Sequence, residues 1–509
     1  MLSRRQFLTR TAALAGSAAL RLPALAELSA ATLANDPRRP QYHLLPARNW
    51  MNDPNGPIFW RDQYHMFFQY NPHAAVWGDM HWGHAVSPDM VRWRHLPVAL
   101  APTPNGPDAA GCFTGSALHD GDRVAILYTG VVSAPEKDAT IRDGLHSLRE
   151  SQCLAFSTGD LTHWTKVPQP VIAAPPRGLD VTGFRDPAPW RQGDTWYVAI
   201  GSGIRGQGGA VLLYRSADLR HWTYLHPLAQ GSGTGRAAAN PVDSGDMWEC
   251  PDFFPLGDRH VLLHSTGGRS YWQSGVLDPA TMLFHPERGG ILDSGAYYAP
   301  KSQLDAHGRR ILWGWIQERR PEQDYSAAGW AGMMSLPRIL TLDARNDLQI
   351  DVAPEVETLR EAEQRLHLTG NETSTRDQLA RLQIHNACGE IRMSFRRGTD
   401  PIQFALASPD ASKPWLACQW DPVHPDSILM GGQPVSLGAD PNPEVQLRFT
   451  IDGSVIECIA NRHGALTQRF YFEGSAAPPI AVQITTGLTN LTGLTLWQMK
   501  PISPNRLTT

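Results

Sequence analysis

A chain of 509 residues is too long for one ordinary domain, so two folded units are expected. Only 18% of the residues are charged and the formal net charge is −4, which argues against nucleic acid or an anionic membrane surface as partner and favours a neutral ligand. The 17 tryptophans suit a sugar, whose apolar ring face an indole covers, although most of them are expected in cores; 45 glycines and 41 prolines point to many turns between short strands.

The first 26 residues read as an export leader. Ser3-Arg4-Arg5-Gln6-Phe7-Leu8 is a twin-arginine pattern, followed by a weakly apolar run from Thr11 to Leu20 and the small-residue cleavage site Ala24-Leu25-Ala26. The mature protein is therefore expected beyond the inner membrane of a bacterium, periplasmic or secreted. No other stretch reaches the roughly 18 apolar residues that span a bilayer. The six cysteines, at 112, 153, 250, 388, 418 and 458, form no C-x-x-C pair, so no zinc site is expected and they read as mostly buried free thiols.

From about 41 to 350 the chain repeats. Ser87-Pro88-Asp89-Met90-Val91-Arg92-Trp93 resembles Ser216-Ala217-Asp218-Leu219-Arg220-His221-Trp222. A third copy, Ser157 to Trp164, has one extra residue, and a fourth, Asp278 to Phe284, is degenerate. The aromatic ends lie at 93, 164, 222 and 284, leaving gaps of 71, 58 and 62 residues. A period near 60 suits a four-stranded propeller blade with generous loops, and about five blades fit the region. The Ser and Asp side chains are expected to bind backbone N–H groups of a turn, with the Trp packed between blades. Val132 to Arg149 accounts for the longest gap and reads as a loop at the funnel rim, placed to select substrate length.

The pattern changes near 351. Residues 351–365 read as a linker with a helical turn. Beyond it, 366–509 shows alternating segments at 390–396, 402–407, 414–420, 445–451, 454–460 and 466–472, the pattern of a C-terminal β-sandwich. The expected fold class is all-β, a β-propeller followed by a sandwich.

Three acidic motifs stand out in the propeller region: Asn49-Trp50-Met51-Asn52-Asp53-Pro54-Asn55-Gly56, Phe184-Arg185-Asp186-Pro187 and Trp248-Glu249-Cys250-Pro251-Asp252. Taken singly, Asp-Pro and Asp-Pro-Asn-Gly are ordinary turn sequences. Their spacing is what matters. Asp53 precedes Trp93 by 40 residues, Asp186 precedes Trp222 by 36, and Glu249 precedes Phe284 by 35. This predicts three carboxylates at nearly one place in three blades, on the innermost strands, facing one funnel. Crowded carboxylates shift each other's proton affinity, which catalysis uses more often than structure does. Paired acids among aromatics suggest glycoside hydrolysis. The neutral neighbours Trp248, Cys250 and Pro251 predict a protonated Glu249. Amides of Asn52 and Asn55 predict an ionised Asp53, and Arg185 an ionised Asp186 that holds sugar hydroxyls.

At these residues the sequence resembles glycoside hydrolase family 32, the invertases, inulinases and levanases. Phe67-Phe68-Gln69-Tyr70-Asn71-Pro72, Trp77 through His84, Tyr298-Ala299-Pro300, Ser335-Leu336-Pro337-Arg338 and the sandwich segment Thr450 to Cys458 match further landmarks in order. The resemblance implies a five-bladed propeller and a β-sandwich, with Asp53 as nucleophile, Asp186 as transition-state stabiliser and Glu249 as acid/base. Configuration is then retained, with the two reacting carboxyls about 5–5.5 Å apart. Asn52, Gln69, Trp77, Phe113, Thr114, Arg185 and Trp330 are expected to line a fructose subsite. Sucrose or a fructan is the implied substrate, and no cofactor or metal is required. Two departures are visible. Thr114 stands where the family usually has Ser, and Gly453 where it usually has Arg or another side chain between Asp452 and Ser454. Two other readings share these motifs: a fructosyltransferase using the same intermediate, and a fructan-binding protein that has lost activity. The last predicts a missing acid, and all three acids are present.

Overall fold

The structure is a computed structural model that describes residues 28–142, 147–232, 241–409, 413–439 and 442–503. The twin-arginine pattern and its cleavage site lie outside the described residues.

Five mainly antiparallel sheets form the first unit, and the four main strands of the first, third and fourth lie side by side in chain order. Their innermost strands are Asn49–Trp60, Gly111–Asp120, Val181–Gln192, Glu249–Leu256 and Tyr297–Leu304. Each of these touches the next, and the fifth touches the first, so the sheets close into a ring of five blades around an axis. Asn49–Trp60 is buried along most of its length rather than on alternate residues, because neighbouring blades cover both of its faces.

The ring is closed by a short crossing segment. Trp330–Ala331 pairs in parallel with Asn49 and Trp50 of the first blade, and Met333–Met334 pairs with Trp315 and Ile316 of the fifth. Gly332 joins the two. Its φ is +78°, and a Cβ there would lie 1.9 Å from the Met51 carbonyl oxygen, so only glycine fits the seam.

The repeated turn is built as its residue types suggest. Asp89 Oδ1 accepts the backbone N–H groups of Val91 and Arg92 at 3.0 and 2.8 Å, and Asp218 Oδ1 does the same for Arg220 and His221 at 2.9 Å. The buried residue between the Asp and the closing aromatic takes a left-handed φ in every copy, at Met90, Leu161, Leu219 and Met282. Trp93 meets Trp313 of the fifth blade edge-on, and Trp164 of the second blade meets Phe67 of the first, which fastens neighbouring blades.

Two expectations change. The stretch 132–149 is not a simple rim loop. Val131, Val132 and Ser133 pair with Glu150, Arg149 and Leu148, extending the second blade's hairpin, and Ile141–Arg142 adds a further short strand. Nor is 351–365 all linker. Pro354–Leu359 is a 3₁₀ helix, but Arg360–Arg365 is an edge strand paired with Leu491–Met499.

That edge strand belongs to a six-stranded sheet, which packs on a five-stranded one to form the second unit. Phe395, Phe404, Trp420, Phe449, Leu466 and Val482 share the core between them. All six cysteines are buried thiols. Ser335-Leu336-Pro337-Arg338 proves to be a clamp between the units. Arg338 is fully buried and bonds Asp293 of the propeller and Glu457 of the sandwich. The chain leading into the first blade adds a strap, since the backbone N–H groups of Gln41, Tyr42 and His43 all donate to the Asp452 carboxylate. The strap passes so close that a Cβ on residue 453 would lie 2.7 Å from the Arg38 carbonyl oxygen, which accounts for Gly453.

Candidate active site

The innermost strands are bent where the acids sit. Gly56, Asp186, Cys250 and Ala299 each precede a proline and have φ values of 56°, 64°, 49° and 54°. The ladder slips at each of these places, leaving two residues opposite one. Such bulges re-aim side chains at the rims of closed sheets. A left-handed φ on a non-glycine residue costs on the order of 1–3 kcal/mol, so Asp186, Cys250 and Ala299 are held there by their surroundings. The proline contributes by removing an N–H that the ladder no longer uses.

The three acids all lie on innermost strands of different blades, but not in one phase. Measured from the left-handed residue, Asp186 is that residue, Glu249 is one before it, and Asp53 is three before Gly56. The spacing of 40, 36 and 35 residues therefore located the strands and blurred the positions along them. Asp53 occupies its own slip in the ladder, between Met51 and Pro54.

Asp53 is fully buried, and Asp186 and Glu249 are 1% and 6% exposed. Buried charge requires partners, and each acid has them. Asp53 Oδ1 accepts from Asn52 Nδ2 at 2.9 Å, and Oδ2 accepts from Thr114 Oγ1 at 2.8 Å. Cys250 links two acids: its thiol lies 3.5 Å from Asp53 Oδ2 and 3.4 Å from Asp186 Oδ2, and its backbone N–H donates to Asp186 Oδ2 at 2.9 Å. The backbone N–H of Asp186 donates to Thr129 Oγ1.

Glu249 is not in neutral surroundings. Arg185 donates to its Oε1 from Nη2 at 2.9 Å and from Nε at 3.2 Å, and Tyr298 donates to its Oε2 at 2.5 Å. Arg185 thus holds Glu249, and its Nη1 reaches a further carboxylate, Glu150, at 2.9 Å. Asp252, the last residue of the third motif, accepts from the N–H and hydroxyl of Ser302 instead, and burial raises its pKa.

Most of the expected subsite gathers here, with changes of role. Trp77 meets the Phe113 ring edge-on at 5.8 Å, forming an aromatic wall. Asn52 Oδ1 accepts from Trp50 Nε1, which fixes its amide so that the nitrogen faces Asp53. Gln69 donates to the Cys112 carbonyl, and Asn55, in the orientation its neighbours dictate, accepts from Gln69 and Trp82 rather than donating to Asp53. Trp330 does not line the funnel. It is fully buried at the ring seam, donates to Asp36, and lies under the guanidinium groups of Arg39 and Arg320. Among the described residues one trio has metal-ligand spacing: His73, Asp79 and His81. His73 Nε2 lies 3.1 Å from Asp79 Oδ2, and His81 Nδ1 is bonded to the Asp79 carbonyl, so they staple the loop that carries Trp77.

Sequence reasoning missed Tyr298 and Glu150 as members of the site. Tyr298-Ala299-Pro300 matches Glu249-Cys250-Pro251 and Arg185-Asp186-Pro187 in bulge phase, and that three-residue likeness was a usable signal. Glu150 carried none, because its approach depends on the register that sets it opposite Val131.

Residues 43–352 match the glycosyl hydrolases family 32 N-terminal domain. The chain belongs to glycosyl hydrolase family 32. The sucrose-6-phosphate hydrolase of Escherichia coli is 34% identical over 484 residues, covering 90% of this chain and 94% of that protein. The raffinose invertase of Escherichia coli is 35% identical over 482 residues, covering 90% and 95%. Among solved structures, fructan 1-exohydrolase IIa from Cichorium intybus matches with a TM-score of 0.73 at 28% identity, covering 91% of this chain and 98% of that one. Its complex with 1-kestose gives the same TM-score. This family 32 glycosidase therefore has its relatives' five-bladed propeller and C-terminal sandwich over nearly its whole length.

Proposed function

We propose that the enzyme releases terminal β-D-fructose from sucrose or a fructan, with retention, through a fructosyl-enzyme intermediate on Asp53. One observation carries the reading: Asp53, Asp186 and Glu249, from three blades, meet around Cys250, each held by donors suited to a distinct role. Asp53 Oδ attacks the anomeric carbon as its bond to the leaving oxygen breaks, and Glu249 gives that oxygen a proton. Glu249 then takes a proton from water, the water oxygen bonds to the same carbon, and the Asp53 ester is released. Asp186, gripped by the Cys250 backbone, is set to hold sugar hydroxyls as charge develops. Relatives named for sucrose-6-phosphate and raffinose, and a neighbour bound to 1-kestose, support a substrate with an exposed fructose unit. Ser3-Arg4-Arg5-Gln6-Phe7-Leu8, read as a twin-arginine pattern, supports export, to the periplasm or beyond.

Product analysis on sucrose, sucrose 6-phosphate, raffinose, inulin and levan in parallel tests the reading. Free fructose, lost in Asp53→Asn, is the expected result. Chain-lengthened oligosaccharides at low substrate would make the enzyme a transferase, and unchanged fructose release by Asp53→Asn would refute the mechanism.

A further inference from the structure

Glu150 has no place in the reaction as derived above, yet it is fully buried beside it. It lies on Ser147–Ser157 of the second blade, and its own N–H is tied to Thr140 Oγ1 at 3.0 Å. Both carboxylate oxygens are engaged: Oε1 by Arg185 Nη1 at 2.9 Å, and Oε2 by the Phe184 backbone N–H at 2.7 Å. Arg185 in turn reaches Glu249 with its remaining face. One guanidinium is thus shared between two carboxylates from two blades.

The sharing matters because of what Glu249 must do. A cation held against an acid favours its ionised form, whereas an acid/base must still carry a proton near working pH. A lone Arg185 would hold Glu249 in place and strip it of that proton. A second carboxylate on the same guanidinium offsets the field while keeping the grip. Tyr298, from the fifth blade, donates to Glu249 and adds to the pull toward its charged form, while Asp53 and Asp186 meet at Cys250, the residue after Glu249, and their charges favour the protonated form. Glu150 differs from these in acting on the guanidinium that grips Glu249.

We propose that Glu150 is a positioning residue that holds Arg185 for Glu249 and balances its charge, so that Glu249 remains a usable proton donor. The inference rests on Glu249 as the acid/base of the proposed function.

The test is the pH dependence of kcat/KM on sucrose for Glu150→Gln and Glu150→Asp. Glutamine keeps the shape and removes the charge, so the alkaline limb is expected to move toward acid by about one pH unit. Aspartate restores the charge and is expected to return the limb most of the way, even if kcat stays lower. A folded Glu150→Gln enzyme whose limb coincides with wild type overturns the proposal. If Glu150→Gln does not fold, Arg185→Lys takes its place. Lysine keeps the charge but lacks the fork that bridges both carboxylates, so its limb must move by half a unit or more, and an unmoved limb again overturns the proposal. Glu249→Ala separates this outcome from the underlying assignment. Its kcat/KM, which reads the fructosylation step, is expected to fall at least a thousandfold on sucrose but stay within about tenfold on β-D-fructofuranosyl fluoride, whose leaving group needs no proton, while kcat falls on both because water attack still needs Glu249 as base. Full sucrose activity in Glu249→Ala would remove the acid/base assignment itself, whatever Glu150 does.

Discussion

Thr114 Oγ1 and Asp53 Oδ2 lie 2.8 Å apart although 61 residues separate them in the chain. Thr114 belongs to the second blade and Asp53 to the first, so the bond exists only once the ring has closed. A hydroxyl donating to a buried carboxylate is a charge-assisted bond, worth about 1.5–3 kcal/mol. Thr114→Val keeps the shape and removes the donor. It is expected to lower kcat/KM by about 10- to 100-fold with little change in melting temperature, whereas Thr114→Ser stays near wild type. Steady-state kinetics on the two variants decides the matter, and a loss in Thr114→Ser with Thr114→Val near wild type would show that the methyl group, not the hydroxyl, is what counts.

Tyr298 donates to Glu249 from the side opposite Arg185. A donor to a carboxylate favours the charged form, so removing it makes the proton harder to lose. Tyr298→Phe is expected to move the alkaline limb of kcat/KM to higher pH, the reverse of the shift expected for Glu150→Gln, and to lower kcat about tenfold through looser placement. A limb that moves to lower pH would mean that the hydroxyl stabilises the protonated acid.

Trp77 and Trp330 were alike in sequence and part company in the fold. Trp77 is half-buried against Phe113 on the stapled loop, while Trp330 fills the seam between the first and fifth blades. Trp330→Ala removes a fully buried indole and should cost about 3–5 kcal/mol of stability. Its surviving folded fraction is expected to keep a wild-type KM. Trp77→Ala should raise KM several-fold with a smaller loss of stability. Thermal melts read beside KM for both variants check this, and a raised KM with wild-type stability in Trp330→Ala would return that residue to the subsite.

What the sequence made legible was what repeats. The Ser-x-Asp turns and the acids that precede them are local signals, and they led to the blades and to Asp53, Asp186 and Glu249. The partners of those acids come from other blades and follow from strand register, which no local window contains. Arg185 sits beside Asp186 in the chain, and chain adjacency suggested the pair. Asp186 sits in a bulge, and the guanidinium bonds Glu249 and Glu150, which come from other blades. Trp330 failed for a related reason: a tryptophan between Gly329 and Ala331 carries no mark that distinguishes a ring seam from a sugar platform.

The joint between propeller and sandwich should answer to pH. His43 is buried with Nδ1 2.8 Å from Asp452 and Nε2 2.9 Å from Glu457. Burial alone would lower the imidazole's pKa, but the hydrogen bonds to these carboxylates outweigh it and raise the pKa to about 9 from an ordinary 6.5. Burial pushes Glu457 up, yet Arg338 and His43 bring it down to about 2 from 4.5. A raised histidine contributes stability that is complete below the unfolded value near 6.5 and lost as pH climbs through 9. A lowered carboxyl contributes stability that is complete above 4.5 and lost as pH falls toward 2. Both contributions are whole only between about 4.5 and 6.5. His43→Gln keeps a polar side chain but cannot carry the charge. The melting-temperature difference between wild type and His43→Gln is therefore expected to be largest near pH 6 and to shrink steadily toward pH 9, while groups common to both proteins cancel. A difference that stays level across that range would mean His43 bridges the units as a neutral ring, and the alkaline sensitivity would have to lie elsewhere.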